Sequence, residues 1–170
     1  MKQGWKHSGG VAGDLLAGAL AGAAAVWAMD RLDWAMYDRV DPQARRQTVA
    51  ARPGGLDPAH VIANKVAHAL GTELSPAQPH PAGIAVHYGL GAAMGAAYAA
   101  LAPRAPVLGT GRGLVFGLLM FAVQDEGMNT LLGTAGPPGR YPWQAHARGA
   151  VAHGFFGVVL DALLRWVGRR

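Results

Sequence analysis

The chain has 170 residues, enough for one domain, and it is apolar, with 51% hydrophobic and only 15% charged residues. It contains no cysteine, which excludes thiol catalysis, disulfide bonds and cysteine-ligated metal. The net charge is +5, but the arginines are scattered over loops and chain ends instead of lining one stripe, so no nucleic-acid partner is expected.

Four apolar windows reach or approach the ~20 residues that a helix needs to cross a bilayer. They cover residues 11–29, 82–102, 113–132 and about 147–167, and a polar loop occupies residues 30–81. This pattern predicts a single membrane domain over residues 1–170, an all-α integral membrane four-helix bundle. A soluble Ala-rich four-helix bundle is the alternative, but the second window offers only His87 and two tyrosines for a polar face.

The first window follows Lys2 and Lys6, an arrangement that also begins secretory signals. Asp14 interrupts the apolar run, however, and the helical pattern continues past Trp27 and Trp34. An uncleaved first helix that projects beyond the bilayer is therefore expected. Asp30 and Asp33 fall on one side of this projecting part and are interpreted as a solvated helix end with local ion pairs.

The polar loop predicts a short amphipathic helix over residues 56–70. Asp57 suits the N-cap, Pro58 the first helical position, and Gly71 the position just past the end. Three polar residues on this helix are spaced four apart: His60, Asn64 and His68. Such a stripe could bind a metal, but it is more often the wet face of a helix whose apolar side rests on the membrane or the bundle.

Glycines spaced four apart recur in three of the predicted membrane helices. The pairs are Gly18 and Gly22, Gly91 and Gly95, and Gly113 and Gly117. Small residues at this spacing let two helix backbones approach closely. We expect these glycines to be helix-packing positions, within the chain or towards a second copy or another membrane protein.

Ionisable residues interrupt the last three windows, where they need a partner or a function. His87 lies roughly 8 Å inside its predicted helix end, and Glu126 and His153 each lie roughly 10 Å inside theirs, so the three share one level. Asp125 precedes Glu126, and the two side chains point about 100° apart in an α-helix. Only one of them is expected to face the bundle centre.

This intramembrane polar site, His87, Asp125, Glu126 and His153, admits three interpretations. His87, Glu126 and His153 could hold a divalent metal ion, since imidazole and carboxylate are its usual ligands. The four groups could instead pass protons along a chain, or bond one another and fix the helix register. Haem has little support, because nothing beyond two histidines suggests axial ligation.

Further polar residues follow towards the C-terminus. His146 and Tyr141 flank the start of the last window, and Asp161 is expected to pair with Arg165 at the i,i+4 spacing. Four tryptophans near segment ends fit interfacial belts: Trp5, Trp34, Trp143 and Trp166.

Four crossings would place both termini and the basic link 103–112 on one side of the membrane. Lysines and arginines are nearly equal in number on the two sides. The long loop counts less, because acidic residues dilute its charge and much of it lies far from the membrane ends. We therefore expect both termini to be cytoplasmic.

The C-terminal half resembles the YagU-like bacterial inner-membrane proteins. The resemblance is carried by Asp125-Glu126, Leu132-Gly133, Pro137-Pro138, Tyr141-Pro142, His146, His153 with Gly157, and Asp161 with Arg165, and more weakly by His87-Tyr88 with Gly91, Gly95 and Tyr98. It implies an integral inner-membrane location and a helical fold, and it implies no chemistry, because that family has no assigned activity.

These features predict a small transport or ion-handling membrane protein, multi-pass, in the bacterial inner membrane. The competing hypothesis is a scaffold or accessory subunit whose polar residues only fix helix packing. An enzyme is the third hypothesis. It ranks last because the chain shows no evident nucleophile, so a metal-activated water would have to supply one.

Overall fold

The computed structural model describes residues 10–168, and all regular secondary structure in this part of the chain is helical, with no β-strand. The α-helices are α1 (Gly10–Tyr37), α2 (Pro42–Ala51), α3 (Pro58–Ala69), α4 (Pro81–Leu101), α5 (Leu114–Met120), α6 (Asn129–Leu131) and α7 (Trp143–Val167). Some residues that the predictions of tryptophan belts and of membrane orientation used lie outside this part: Lys2, Trp5, Lys6, Arg169 and Arg170.

Among the residues that the structure describes, three helices are long and apolar enough to cross a membrane: α1, α4 and α7. The helix α1 extends to Tyr37, beyond the apolar window, as expected, and α4 matches its window to within one residue at each end. The helix α7 begins at Trp143, four residues before the predicted start. Because α1 ends only at Tyr37, the first helix continues into the polar loop predicted for residues 30–81.

The third predicted helix changes its hydrogen-bond geometry partway along its length. A π-helical segment, Phe121–Met128, separates α5 from the single turn α6, so the expectation of one uninterrupted α-helix over residues 113–132 is wrong. The polar run Gln124-Asp125-Glu126 lies inside this segment, which we call the π segment. Its turns are wider than α-turns, because backbone hydrogen bonds run between residues five apart.

The polar loop contains two helices instead of the one expected. Asp41 caps α2 by accepting hydrogen bonds from the Gln43 and Ala44 N–H groups, and Pro42 takes the first helical position. The Asp41-Pro42 pair is the feature of the sequence from which the start of α2 could have been predicted. The helix α3 begins and ends where predicted, with Asp57 as its N-cap.

Asp57 interacts with both the backbone and the ring of His60. Its side chain accepts the His60 N–H, and its second oxygen lies 2.7 Å from His60 Nδ1, although out of line for a directed hydrogen bond. Burial alone would raise the pKa of Asp57, but the two His60 contacts outweigh it and hold that pKa below its ordinary value.

His60 is buried, at 7% exposure, so its interpretation as part of a wet face is wrong. Its ring lies against Gly83 of α4, where a Cβ atom would overlap the imidazole. Its Nε2 atom accepts the His80 N–H at 3.1 Å. Asn64 is half-buried and His68 is exposed. The bare backbone at Gly83 thus provides the space that turns His60 inward.

The helices α1 and α7 lie at the centre of the packing. The helix α1 packs against α4 and α7, and α7 packs in turn against α5. The buried core between them contains Ala21, Ala25, Val26, Met29, Tyr98, Ala99, Phe116, Ala152, Phe156, Leu160 and Leu164. Alanine is frequent in this core, so the helix backbones lie close together.

Two pairs of glycines form the contact between α1 and α4. A Cβ atom at Gly18 would lie 2.6 Å from the Gly95 carbonyl oxygen, and one at Gly95 would lie 2.7 Å from Gly22 Cα. A Cβ atom at Gly22 would overlap the Gly91 carbonyl. These glycines contact each other within one chain, so this face is not open to a partner.

A second glycine contact joins the start of α5 to α7. Cβ atoms at Gly113 and Gly117 would overlap the carbonyl groups of Gly157 and His153, and a Cβ atom at Gly157 would lie 2.9 Å from the Gly117 nitrogen. Gly113 also has a φ of +86°, which L side chains rarely adopt. Space and backbone conformation both require glycine there.

We predict that Gly95→Ala destabilises the protein by about 1–3 kcal/mol, because the added methyl group forces α1 and α4 apart. Gly89→Ala on the same helix is the matched control, since a Cβ atom there meets nothing within 4 Å. It should leave stability unchanged or raise it by up to about 1 kcal/mol. Denaturant unfolding in mild detergent measures both, and equal effects would contradict the close contact.

Candidate functional site

Two ionisable pairs connect α1 to its neighbours near the end of the bundle that carries the polar loop. Asp30 Oδ1 lies 2.9 Å from His87 Nε2 of α4. Asp33 forms a salt bridge with Arg148 of α7, whose guanidinium also lies over the Tyr37 ring at 5.1 Å from its centre. The interpretation of Asp30 and Asp33 as a solvated helix end is therefore wrong, since both bind other helices.

The two carboxylates of the π segment both reach α7. Glu126 Oε1 lies 2.6 Å from His146 Nδ1, and Asp125 Oδ2 lies 3.7 Å from His153 Nε2. The two histidines are seven residues apart, which places them on one face of α7, two turns from each other. The expectation that only one carboxylate faces inward assumed α-helical geometry. The wider π turn lets both side chains face the same helix.

The second ring nitrogen of each of these histidines is held by a backbone carbonyl. His146 Nε2 lies 3.2 Å from the Pro138 oxygen, and His153 Nδ1 lies 3.0 Å from the Gly149 oxygen. A carbonyl only accepts hydrogen bonds, so each of these contacts is a hydrogen bond in the tautomer whose proton lies on the nitrogen that faces the carbonyl. The other nitrogen of the neutral ring is then an acceptor that faces a carboxylate.

In that tautomer, the Glu126–His146 pair shares one proton. A contact of 2.6 Å between a carboxylate oxygen and an acceptor nitrogen requires one proton between them. Either Glu126 is protonated beside a neutral imidazole, or an ionised Glu126 faces an imidazolium. Both forms contain the same shared proton and have zero net charge, so the pair can exchange it internally.

The pairs form one cluster. Asp125 is close enough to His153, Glu126, Asp33 and His87 for their charges to interact. We call Asp30, Asp33, His87, Asp125, Glu126, His146, Arg148 and His153 the polar cluster. Their side chains are between 13% and 37% exposed, so the cluster is neither sealed in the core nor fully solvated.

The structure brings the four predicted site residues into this region, but it distributes them over separate pairs. His87 binds Asp30, His153 faces Asp125, and Glu126 binds His146. Within residues 10–168, no three His, Asp or Glu side chains are placed to hold a metal ion. The proposed ligand set His87, Glu126 and His153 is therefore not assembled around one point.

A separate buried group lies towards the other end of the helices. Asp161 accepts a hydrogen bond from the Tyr98 hydroxyl at 2.7 Å and one from Arg165 Nε at 2.6 Å. The expected Asp161–Arg165 pair is present. Tyr98, which also packs on Phe116 at 4.8 Å between ring centres, was not predicted as a partner. A tyrosine hydroxyl in an apolar helix needs a hydrogen-bond partner, so the sequence could have predicted that Tyr98 pairs with a polar residue of another helix.

Tyr141 organises the hairpin loop next to the polar cluster. Its hydroxyl accepts the Gly136 N–H at 3.1 Å, and its ring meets the His146 ring edge to face. Gln47 of α2 donates to the Arg140 carbonyl at 3.2 Å. The loop that supplies the Pro138 carbonyl to His146 is thus held from both sides.

Comparisons with known proteins give no family assignment. No protein-family model matches the chain, and no curated protein or solved structure matches it at a significant level. The resemblance to the YagU-like proteins therefore stays a prediction.

A double-mutant cycle tests the pairing of α1 with α7. We predict a coupling free energy of about 0.6–1.7 kcal/mol between Asp33→Asn and Arg148→Gln, because each change removes the same salt bridge. The control cycle pairs Arg148→Gln with Glu73→Gln, an exposed carboxylate in the linker before α4. The changes that these two substitutions cause in the unfolding free energy should add. Unfolding free energies in detergent give both couplings, and an uncoupled Asp33–Arg148 pair would refute the contact.

Proposed function

We propose that the chain is an integral membrane protein with four crossings, made by α1, α4, the run from α5 through α6, and α7. Large apolar side chains point outward on all of them; examples are Leu16, Leu20, Leu119, Val123 and Val151. Only 22–39% of the residues in the apolar windows of α1, α4 and α7 are buried. In water such a surface would be an aggregation hazard, whereas a bilayer covers it.

Both termini are cytoplasmic in this proposal, and α2, α3 and the hairpin loop lie on the opposite side. Arg104 and Arg112 in the short link between α4 and α5 support this orientation through the positive-inside rule. The bacterial inner membrane rests on the resemblance to the YagU-like proteins.

Single introduced cysteines test the number of crossings, because the chain has none of its own. Ser75→Cys, Thr110→Cys and Gly139→Cys lie in three different exposed loops, and a Cβ atom at Gly139 meets nothing within 4 Å. With four crossings, a membrane-impermeant maleimide should label positions 75 and 139 from the same side and position 110 from the other. Labelling of positions 110 and 139 from one side would mean that residues 114–131 do not cross.

We further propose that the polar cluster handles protons. The observation that carries this proposal is the anchoring of His146 and His153 by backbone carbonyls, which turns the other ring nitrogen of each towards a carboxylate of the π segment. Histidine and carboxylate chains are the usual proton relays of membrane proteins. Partial exposure gives the cluster access to water from the polar-loop side.

Proton transfer within this site needs no outside reagent. The Glu126 carboxyl proton moves to His146 Nδ1, leaving a carboxylate beside an imidazolium, and the reverse step restores both neutral groups. Asp125 and His153 lie 3.7 Å apart, beyond a hydrogen bond, so a small side-chain movement or a bridging water must close that step.

Proton flux into proteoliposomes tests the proposal, with a pH-sensitive dye inside and a potassium diffusion potential as the driving force. Glu126→Gln and His146→Gln should each lower the flux at least about tenfold, equivalent to ~1.4 kcal/mol of barrier. His68→Gln, an exposed histidine on α3, is the matched control and should leave the flux unchanged.

A second candidate function is a membrane scaffold in which the same groups only fix helix register. Its support is that each carboxylate of the polar cluster faces a basic partner on another helix. Unchanged flux in Glu126→Gln and His146→Gln proteins that still fold would favour this candidate and overturn proton handling.

A further inference from the structure

The helix α3 has three distinct faces. Ala59, His60, Ala63 and Ala67 are buried against the rest of the protein, as is Val61 near the start of the helix. At about 100° per residue, Asn64, Lys65 and His68 form a polar face, and the remaining face is apolar. That third face carries Ile62, Val66, Ala69 and Leu70, at the i, i+4, i+7 and i+8 spacing of a helical stripe.

Ile62 is half-buried at the start of this third face, and the rest of the face is uncovered within the described part of the chain. Val66 is 52% exposed and Leu70 is 77% exposed, whereas the alanines on the buried face are 4–6% exposed. Two large apolar residues one turn apart therefore point away from the protein. A helix in water would carry polar residues there.

Contacts at both flanks fix where α3 lies. The His60 ring fits against Gly83, three residues inside the start of α4. Lys65 Nζ donates to the Leu132 carbonyl at 2.6 Å, just past the end of α6. The helix α3 thus lies beside the ends of two proposed crossings, at the level where each one leaves the bilayer.

Exposed apolar side chains also lie beside the two contacts that hold α3. Leu131 is 86% exposed and Leu132 is 58% exposed, next to the Lys65 contact. Ile84, one residue after Gly83 on α4, is 42% exposed. These side chains also belong to the outward apolar surface of the proposed crossings, so lipid that covers that surface reaches the level of α3.

We infer that α3 is a membrane-interface helix, whose stripe of Ile62, Val66, Ala69 and Leu70 lies in the headgroup and upper acyl region of the bilayer while Asn64 and His68 face water. The inference rests on the proposed membrane location. A helix with one apolar and one polar face binds in the plane of the interface in this way. Lys65, at the border of the polar face, keeps its ammonium group on a backbone carbonyl at that level.

The test uses single cysteines labelled with an environment-sensitive fluorophore, in vesicles of phosphatidylcholine and phosphatidylglycerol. The positions are Val66→Cys and Leu70→Cys on the stripe and His68→Cys on the polar face of the same helix. Bromine-labelled lipids with the label high in the acyl chain should quench positions 66 and 70 at least about threefold more than position 68. Aqueous iodide should show the reverse order.

Leu20→Cys separates this inference from the membrane proposal, because Leu20 is 66% exposed in the middle of α1. Quenching of position 20 by brominated lipid together with iodide quenching of 66 and 70 would overturn the interface helix and leave the crossings intact. Protection of 66 and 70 from both quenchers would also overturn it, because a protein surface, such as a second copy, would then cover the stripe. Absence of lipid quenching at position 20 would overturn the membrane location and the inference with it.

Discussion

The close approach of α1 and α4 is the constraint on which the other contacts depend. Four glycines let the two backbones meet at the crossing, with the side chains of Val26 and Ala99 packed beside them. Asp30 follows Gly22 by eight residues and His87 precedes Gly91 by four, so the two polar groups lie further along the same antiparallel interface. A bulkier residue at the crossing would separate the axes and lengthen the 2.9 Å contact between Asp30 and His87. The glycines of this crossing therefore determine how close Asp30 and His87 lie to each other.

The contact between α5 and α7 repeats this relation. Gly113 and Gly117 lie against the backbone of α7 between His153 and Gly157, and Gly149 accommodates the Phe121 ring one to two turns further on. The π segment begins at Phe121, so its carboxylates enter the interface where α7 is already close. Without a hydrophobic force between helices in lipid, such contacts and the polar pairs beside them hold the helices together.

Features encoded by composition and length could be predicted from the sequence. The helices α1, α4 and α7 follow from long apolar windows, and the ends of α3 follow from Asp57, Pro58 and Gly71, whose preferences are local. The π segment could not be predicted, because its backbone hydrogen bonds span only one residue more than those of an α-helix. The burial of His60 depends on a vacant position at Gly83, 23 residues away in the sequence. Pairing such as Glu126 with His146 depends on how two helices face each other, which residue spacing alone leaves open.

Under the proposed proton handling, the short contact between Glu126 and His146 also limits what can drive a proton from one group to the other. A proton that moves across their 2.6 Å contact covers less than a tenth of a hydrocarbon layer ~30 Å thick. A full crossing at 100 mV is worth ~2.3 kcal/mol, so this step gains at most about 0.2 kcal/mol from the electric field. The membrane potential is therefore a weak influence on which partner holds the proton. In this proposal the surroundings of the two groups, among them the Pro138 carbonyl at His146 Nε2, have the larger influence, and voltage acts mainly on the steps that bring charge to and from the pair.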